Sequence, residues 1–158
     1  MVNSKIIEEK LKRFLFLFID STDKFIDKLK EKYKWYNLTR IGNCVFLCDG
    51  ESEPPIVYNR ICLGFFFNNK FVPSNLLLKE LSNSNTNKAF VDDKGAIKFV
   101  YGKKCNFTKK KINLPQKAFL VIYNDACIGF GKINKGKIIP FYDVGFTERL
   151  EMKNQLSL

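Results

Sequence analysis

Two stretches in the second half of the chain decide the fold: residues 88–102, KAFVDDKGAIKFVYG, and residues 119–149, FLVIYNDACIGFGKINKGKIIPFYDVGFTER. In the first, a short apolar strand over 88–91 leads into a helix of one to two turns, which Gly102 closes. Around and within the second, apolar strands over 117–123, 126–132 and 137–141 are joined by tight turns. Many short strands with one small helix predict a partly closed β-barrel.

The first half of the chain predicts a separate α/β domain. Apolar residues at three- and four-residue steps predict helices over 4–18 and from Ser21 or Thr22 onward, with Ser74 capping a third helix that starts near residue 71. Strands are expected over 36–41, 44–48, 56–58 and 61–67, with a loop at 51–55. No internal repeat is visible in the sequence.

Six small polar residues, 82–87, separate the two patterns and predict the domain boundary. We therefore expect an α+β protein with an N-terminal α/β domain over 1–82, a linker over 83–87 and a small β-barrel over 88–158. A basic loop follows the helix of the barrel, with a strand possible at 111–113, and a last strand is expected across 146–152.

Positive charge is concentrated in the second half. The chain carries 27 Lys and Arg against 16 Asp and Glu, a net charge of +11. Residues 1–87 hold 13 basic and 10 acidic residues, a net +3, whereas residues 88–158 hold 14 and 6, a net +8. Such a bias predicts a polyanionic partner, because contacts to phosphates release counterions. Charge alone does not separate nucleic acid from an anionic membrane, or either from a protein that simply uses lysine for solubility.

The cysteines and the apolar runs indicate an intracellular protein. Five Cys in no regular pattern, with no His anywhere, favour buried, reduced thiols over disulfides or a metal site. The apolar run over 14–19 is too short for a signal peptide or for a bilayer, which needs about 20 apolar residues. No cofactor, metal or membrane partner is expected.

The second half resembles a PUA domain, the RNA-binding module named for pseudouridine synthases and archaeosine transglycosylases. The resemblance covers about residues 88–152 and rests on Val91-Asp92 with Ala96 and Gly102, VIY at 121–123, IGFGK at 128–132 and GKI at 136–138. In the first half, Leu63-Gly64 followed by FVPSNLL at 71–77 is similar to the end of a pre-PUA domain.

This order of domains resembles a family of archaeal and eukaryotic ribosome-biogenesis factors that large-subunit rRNA maturation requires. FVYG at 99–102, IGFG at 128–131, DVG at 143–145 and Glu148-Arg149 have counterparts there, whereas the N-terminal helices and the insertion at 109–115 depart from it. The resemblance implies a protein that binds RNA, in particular rRNA, together with ribosome-assembly or RNA-modification proteins, and we expect a monomer. Its location would be cytoplasmic, or nucleolar in a eukaryote.

A basic group of residues is the predicted RNA site. It comprises residues next to the conspicuous glycines or on adjoining loops: Gly102, Lys103, Lys104, Lys132, Lys135, Lys137, Arg149 and Lys153. Gly102 allows either a helix C-cap or a close approach of an RNA backbone, and the sequence does not choose between these. Gly129 and Gly131 favour a close crossing of two strands. Phe107, Phe141 and Tyr142 are candidate platforms for base stacking, although a place in the barrel core is the simpler expectation for both Phe.

Catalysis finds little support in the sequence, since it lacks His, an obvious pair of acids, a phosphate-binding loop and a dinucleotide fingerprint. We expect a protein that binds RNA without chemistry of its own. Two alternatives stay open: an accessory module that delivers RNA to a separate modification enzyme, and a protein–protein adaptor.

Overall fold

The computed structural model describes residues 4–49 and 59–141, which contain four helices and two sheets. This confirms the expected α+β class. The described residues belong to two compact units, one within Met1–Leu77 and the other within Leu78–Leu158. The predictions for the loop at 51–55 and the strands at 56–58 and 146–152 lie outside the described residues.

The first unit begins with two amphipathic helices, α1 (Ser4–Leu15) and α2 (Thr22–Tyr33). Helix α1 buries Ile7, Leu11, Phe14 and Leu15 on one stripe, as the apolar spacing predicts. The helix ends at Leu15 rather than Phe18. The chain there tightens into i→i+3 hydrogen bonds, in which the amide of Leu17 donates to Phe14 O at 3.1 Å, so the apolar period runs on past the α-helix itself.

An antiparallel meander completes the first unit, in the order β1 (Asn37–Ile41), β2 (Cys44–Cys48), β3 (Arg60–Phe67) and β4 (Lys70–Pro73). Strand β4 corrects the expectation that a helix starts near residue 71. Pro73, which lacks an amide hydrogen, is tolerated because β4 lies at the edge of the sheet. The helix α3 follows at Asn75–Ser82. Ser74 caps it as predicted, since the amide of Leu77 donates to Ser74 Oγ at 3.2 Å.

The second unit holds a five-stranded sheet in the order β6-β5-β7-β8-β9. The strands are β5 (Asn87–Phe90), β6 (Lys109–Lys111), β7 (Phe119–Tyr123), β8 (Ala126–Asn134) and β9 (Lys137–Pro140). Strands β5 and β7 are parallel, and helix α4 (Asp93–Val100) lies in the connection between them. The sheet curls into a half-barrel around a core that includes Phe99, Val121 and Ile138.

One backbone bridge connects the far edge of this half-barrel to the segment that precedes β6. The amide of Cys105 donates to Ile138 O at 3.1 Å, and the amide of Ile138 donates to Cys105 O at 2.8 Å. The chain then continues from Cys105 into β6, which pairs with β5. Segment 103–111 therefore pairs with β9 through Cys105 and with β5 through β6, and residues after α4 are brought beside β9.

The two hairpins β7–β8 and β8–β9 are formed by the turns that the sequence predicts. Asn124 and Asp125 have φ of 47° and 63°, and Lys135 and Gly136 have φ of 51° and 76°. Positive φ at both central residues is the conformation that matches the twist of antiparallel strands. These tight turns fix the register that places Lys132 opposite Ile139 and Asn134 opposite Lys137.

The two sheets share a local feature that the sequence analysis overlooked. In each, a Cys-x-Gly step coincides with a register shift: Cys62 to Gly64 on β3, and Cys127 to Gly129 on β8. The thiols donate to Gly64 O at 3.5 Å and to Gly129 O at 3.4 Å. Gly131 packs directly against the backbone of β9, since a Cβ there would collide with Ile139 O. This supports the expectation of a close approach between strands at this glycine.

Sequence composition marks residues 83–87 as a linker. In the structure, the last two residues of this stretch are packed into the second unit. Asn87 is the first residue of β5, and both Thr86 and Asn87 are buried. Thr86 Oγ1 donates to Leu81 O at 2.9 Å. The unit accordingly starts before β5, at Leu78.

Candidate nucleic-acid interface

Three of the predicted lysines lie together on the outer face of the half-barrel. Lys132 on β8 is opposite Ile139 on β9. Because Cys105 bridges Ile138 in antiparallel fashion, Lys104 lies on the other side of Ile139. Cys105 and Ile138 are buried in the core, so alternation along the chain directs Lys104 outward, and Lys104 is exposed.

Lys137 belongs to the same outer face, because it is two residues before Ile139 on β9. Neighbouring strands are about 4.8 Å apart and residues two apart on a strand are about 7 Å apart. The Cα atoms of Lys104, Lys132 and Lys137 therefore lie within roughly 10 Å of one another. We call these three lysines the basic face.

The basic face is not neutralised within the part of the chain that the structure describes. No ion pair there includes Lys104, Lys132 or Lys137. The ion pairs of the first unit differ, since Lys12 contacts both Glu8 and Asp23, and Lys34 contacts Glu31 at 2.7 Å. Between Leu78 and Phe141 the sequence holds 13 Lys and 4 acidic residues, so the charge of the second unit is strongly positive.

Gly102 ends helix α4 at the C′ position, directly after the C-cap residue Tyr101. Its φ is 72°, its amide donates to Phe99 O at 2.9 Å, and the amide of Lys103 donates to Lys98 O at 2.9 Å. This pair of bonds is the Schellman motif, which requires a left-handed residue and so favours glycine. The cap accounts for Gly102 structurally, and the chain that leaves it reaches β9 three residues later, at Cys105.

Lys103 and Lys135 flank the basic face, and both are exposed. Lys135 occupies the first position of the β8–β9 turn, where its backbone is left-handed. Two further predicted residues, Arg149 and Lys153, lie outside the described residues, as does the candidate stacking residue Tyr142.

The two candidate aromatic platforms differ in their surroundings. Phe107 is partly buried against the core, as expected. Phe141 is 39% exposed and lies two residues beyond Ile139, with its ring 6.3 Å from that of Phe130. The expectation of a core position is thus wrong for Phe141. Its ring borders the basic face, where an unpaired base could stack on it.

Three consecutive lysines of the expected basic loop form strand β6 instead, and this strand begins two residues earlier than the one considered at 111–113. Lys109, Lys110 and Lys111 pair with Phe90, Ala89 and Lys88 of β5, and all three are exposed. The sequence of this segment has no alternation of apolar and polar residues that would have revealed the strand. The lysine run hid it, because charged residues are uncommon in strand interiors.

The cysteines of the second unit are poorly suited to nucleophilic catalysis. Burial raises the pKa of the Cys127 thiol to about 11, and burial also raises the pKa of the Cys105 thiol. Both thiols therefore stay protonated near neutral pH and are poor nucleophiles. Within residues 4–49 and 59–141, no three His, Cys, Asp or Glu side chains are grouped so as to hold a metal ion. No helix in these ranges is long and apolar enough to cross a membrane.

No model of a known protein family matches the chain, and no curated protein matches its sequence. The likeness to PUA proteins thus stays a prediction.

Proposed function

We propose that this protein binds RNA without catalysis, through the basic face formed by Lys104, Lys132 and Lys137. The observation that carries the proposal is their convergence from three separate segments onto one exposed surface that no described carboxylate neutralises. Lysines that serve only solubility would be spread evenly over the surface. Here, by contrast, the Cys105–Ile138 bridge brings Lys104 close to the lysines of β8 and β9.

The nature of the face favours RNA over a flat anionic surface. Ile139 lies between Lys104 and Lys132, and the exposed ring of Phe141 follows it. Phosphate-binding cations beside an exposed aromatic ring suit a strand whose bases are unstacked, because the ring can stack on a base while lysines hold the backbone. We further propose, from the resemblance to ribosome-biogenesis factors, that the RNA is rRNA and that the protein acts in large-subunit assembly.

Binding of a fluorescent single-stranded RNA across a salt series tests the proposal. The variant carries Lys104→Gln, Lys132→Gln and Lys137→Gln. Each phosphate contact on a single strand contributes about 0.7 to the slope of log affinity against log salt, so the slope should fall by about 2 in the triple variant. Affinity at low salt should fall by at least tenfold. The matched control replaces Lys24, Lys28 and Lys30 of α2 with Gln, which removes the same charge from the first unit.

Two results would count against the proposal. If wild-type protein binds no RNA at low salt, the adaptor alternative is favoured. If the control weakens binding as much as the basic-face variant, attraction depends on net charge alone and the basic face is not the site.

A further inference from the structure

We infer that the edge strand β6 is a second phosphate-binding surface that holds the same RNA strand as the basic face. The surface consists of Lys109, Lys110 and Lys111, and we call it the β6 edge. The inference rests on the proposed function and extends the site to a surface with its own signature in the fold.

That signature is an unfavourable pairing of like charges. Lys111 lies directly opposite Lys88 in the β5–β6 register. Like charges at directly opposed positions destabilise a sheet. Burial lowers the pKa of Lys88, and the charge of Lys111 lowers it further. Lys88 Nζ donates to Ser84 O at 3.2 Å and to Thr86 O at 3.3 Å, so Lys88 has a structural role. Lys111 has none among the described contacts.

Lys109 adds to this repulsion, because it lies two residues before Lys111 and so on the same face of β6. No ion pair in the described part of the chain includes Lys109, Lys110 or Lys111. A sequence that breaks a local rule of stability without compensation within the fold is often one that serves binding. An external polyanion would supply the missing compensation, because phosphates placed along the β6 edge would offset the repulsion.

The ammonium groups of the β6 edge are already positioned. Lys109 Nζ lies 4.6 Å from the centroid of the Phe90 ring, and Lys110 Nζ lies 5.9 Å from that of Phe107. These contacts restrict the side chains before any ligand arrives. A pre-ordered cation loses less conformational entropy on binding a phosphate than a freely rotating one does.

The β6 edge is continuous with the basic face. Lys104 and Lys109 are five residues apart on segment 103–111, so their Cα atoms are separated by at most about 18 Å. A single strand of several nucleotides would reach from one surface to the other. We therefore expect the β6 edge to matter for RNAs near the upper end of the range of about 4–16 nucleotides that small barrels bind, and little for the shortest.

Lysines on an edge strand have a competing explanation, which is protection against pairing with the edge of another molecule. That explanation predicts association between copies when the charges are removed, with no change in RNA affinity per molecule. The two explanations therefore predict different results when the charges are removed. Phosphate binding predicts weaker RNA affinity, and edge protection predicts association between copies.

The decisive variant is Lys111→Gln, compared with Lys111→Arg and with Lys28→Gln on α2 as a charge-matched control. Removing the repulsion with Lys88 should raise the melting temperature by about 1–4 °C. At the same time, affinity for an oligouridylate of about 16 nucleotides should fall roughly three- to tenfold and the salt slope by about 0.7. Affinity for a 4-nucleotide oligomer, about the smallest site of a small barrel, should be unchanged. Lys111→Arg should keep wild-type affinity.

Greater stability with weaker binding is a combination that misfolding does not produce. Unchanged affinity for the longer RNA, at any stability, would overturn the inference, and so would a loss shared by Lys28→Gln. If Gln lowers both stability and affinity, Lys111→Arg decides: wild-type affinity in Arg supports the inference, and a loss as large as in Gln overturns it. A wild-type protein that binds no RNA would refute the proposed function instead, so the two failures are distinguishable.

Discussion

Asn87 organises the start of the second unit with a single side chain. Its Oδ1 accepts hydrogen bonds from the amides of Asn113 and Leu114, both at 2.7 Å. Its Nδ2 donates to Leu114 O at 2.6 Å and to Lys117 O at 3.2 Å. The residue is 1% exposed, so the amide replaces water for four backbone groups. The connection between β6 and β7 is fixed in this way to the first residue of β5.

Asn87→Ala should lower the free energy of unfolding by about 2–4 kcal/mol, because it removes the oxygen that accepts from the part-buried amides of Asn113 and Leu114, together with two donated hydrogen bonds. Urea denaturation measures the change. Asn83→Ala at an exposed position provides the control and should stay within about 0.5 kcal/mol of wild type. Equal stability of the two variants would show that water replaces the amide of Asn87.

The role of Asn87 could not be predicted from sequence. A run of Ser, Asn and Thr ordinarily marks a connection between elements. Nothing in residues 82–87 shows that the side chain of Asn87 will contact the backbone of Asn113, which is 26 residues further along the chain. The burial of a polar residue depends on long-range partners, which a local pattern does not contain.

Helix α4 with its cap illustrates what a local signal can predict at the scale of an element. Asp92 Oδ1 accepts a hydrogen bond from the amide of Gly95 at 2.9 Å at the start of the helix, and Gly102 ends it. Both residues lie next to the helix in sequence, so a local signal indicated where it ends. The hairpin turns at 124–125 and 134–136 were predictable for the same reason, since turn residues set their own backbone conformation.

Gly102 offers a test of the two roles that the sequence left open. Gly102→Ala forces a Cβ into the left-handed region and should cost about 1 kcal/mol of stability, whereas Gly102→Asn should cost less. If the cap is its whole role, Gly102→Asn keeps RNA affinity within about twofold of wild type in fluorescence anisotropy. A stable Asn variant with tenfold weaker binding would instead show that RNA contacts this glycine closely.

Long-range pairing limits prediction at the same scale. The basic face was predicted in part, since Lys104, Lys132 and Lys137 were chosen for their nearness to glycines and loops. Their arrangement on one surface depends on the bridge from Cys105 to Ile138, and neither residue carries a recognisable signal for it. Strand β4 was missed because Pro73 is disfavoured in a strand unless the strand lies at an edge, and edge position is a property of the whole sheet.

Charge is the property that extends over the whole molecule. The first unit pairs some of its lysines with carboxylates, as in the contact of Lys34 with Glu31, which lowers the pKa of Glu31. The second unit holds most of the uncompensated charge, as composition predicted. Which lysines lie together was beyond composition, because the curl of the sheet decides it.

The absence of histidine from the sequence makes a prediction about pH. Histidine is the side chain whose ordinary pKa lies where charge changes between pH 5 and 8. RNA affinity should therefore stay within about twofold from pH 6 to pH 8 at constant ionic strength, measured by fluorescence anisotropy. A tenfold change of affinity over this range would contradict the prediction.

The bridge between Cys105 and Ile138 has a consequence for how the molecule responds to its ligand. The two residues are 33 positions apart, and they join segment 103–111 to the last strand of the sheet through two hydrogen bonds. The basic face forms only while the bridge between Cys105 and Ile138 is intact, because breaking it separates Lys104 from Lys132. A ligand that contacts lysines on both sides of this bridge binds only the form in which the bridge is intact. By mass action, its binding therefore stabilises that form. If RNA binds the basic face as proposed, it would act as a clasp that keeps this side of the half-barrel closed.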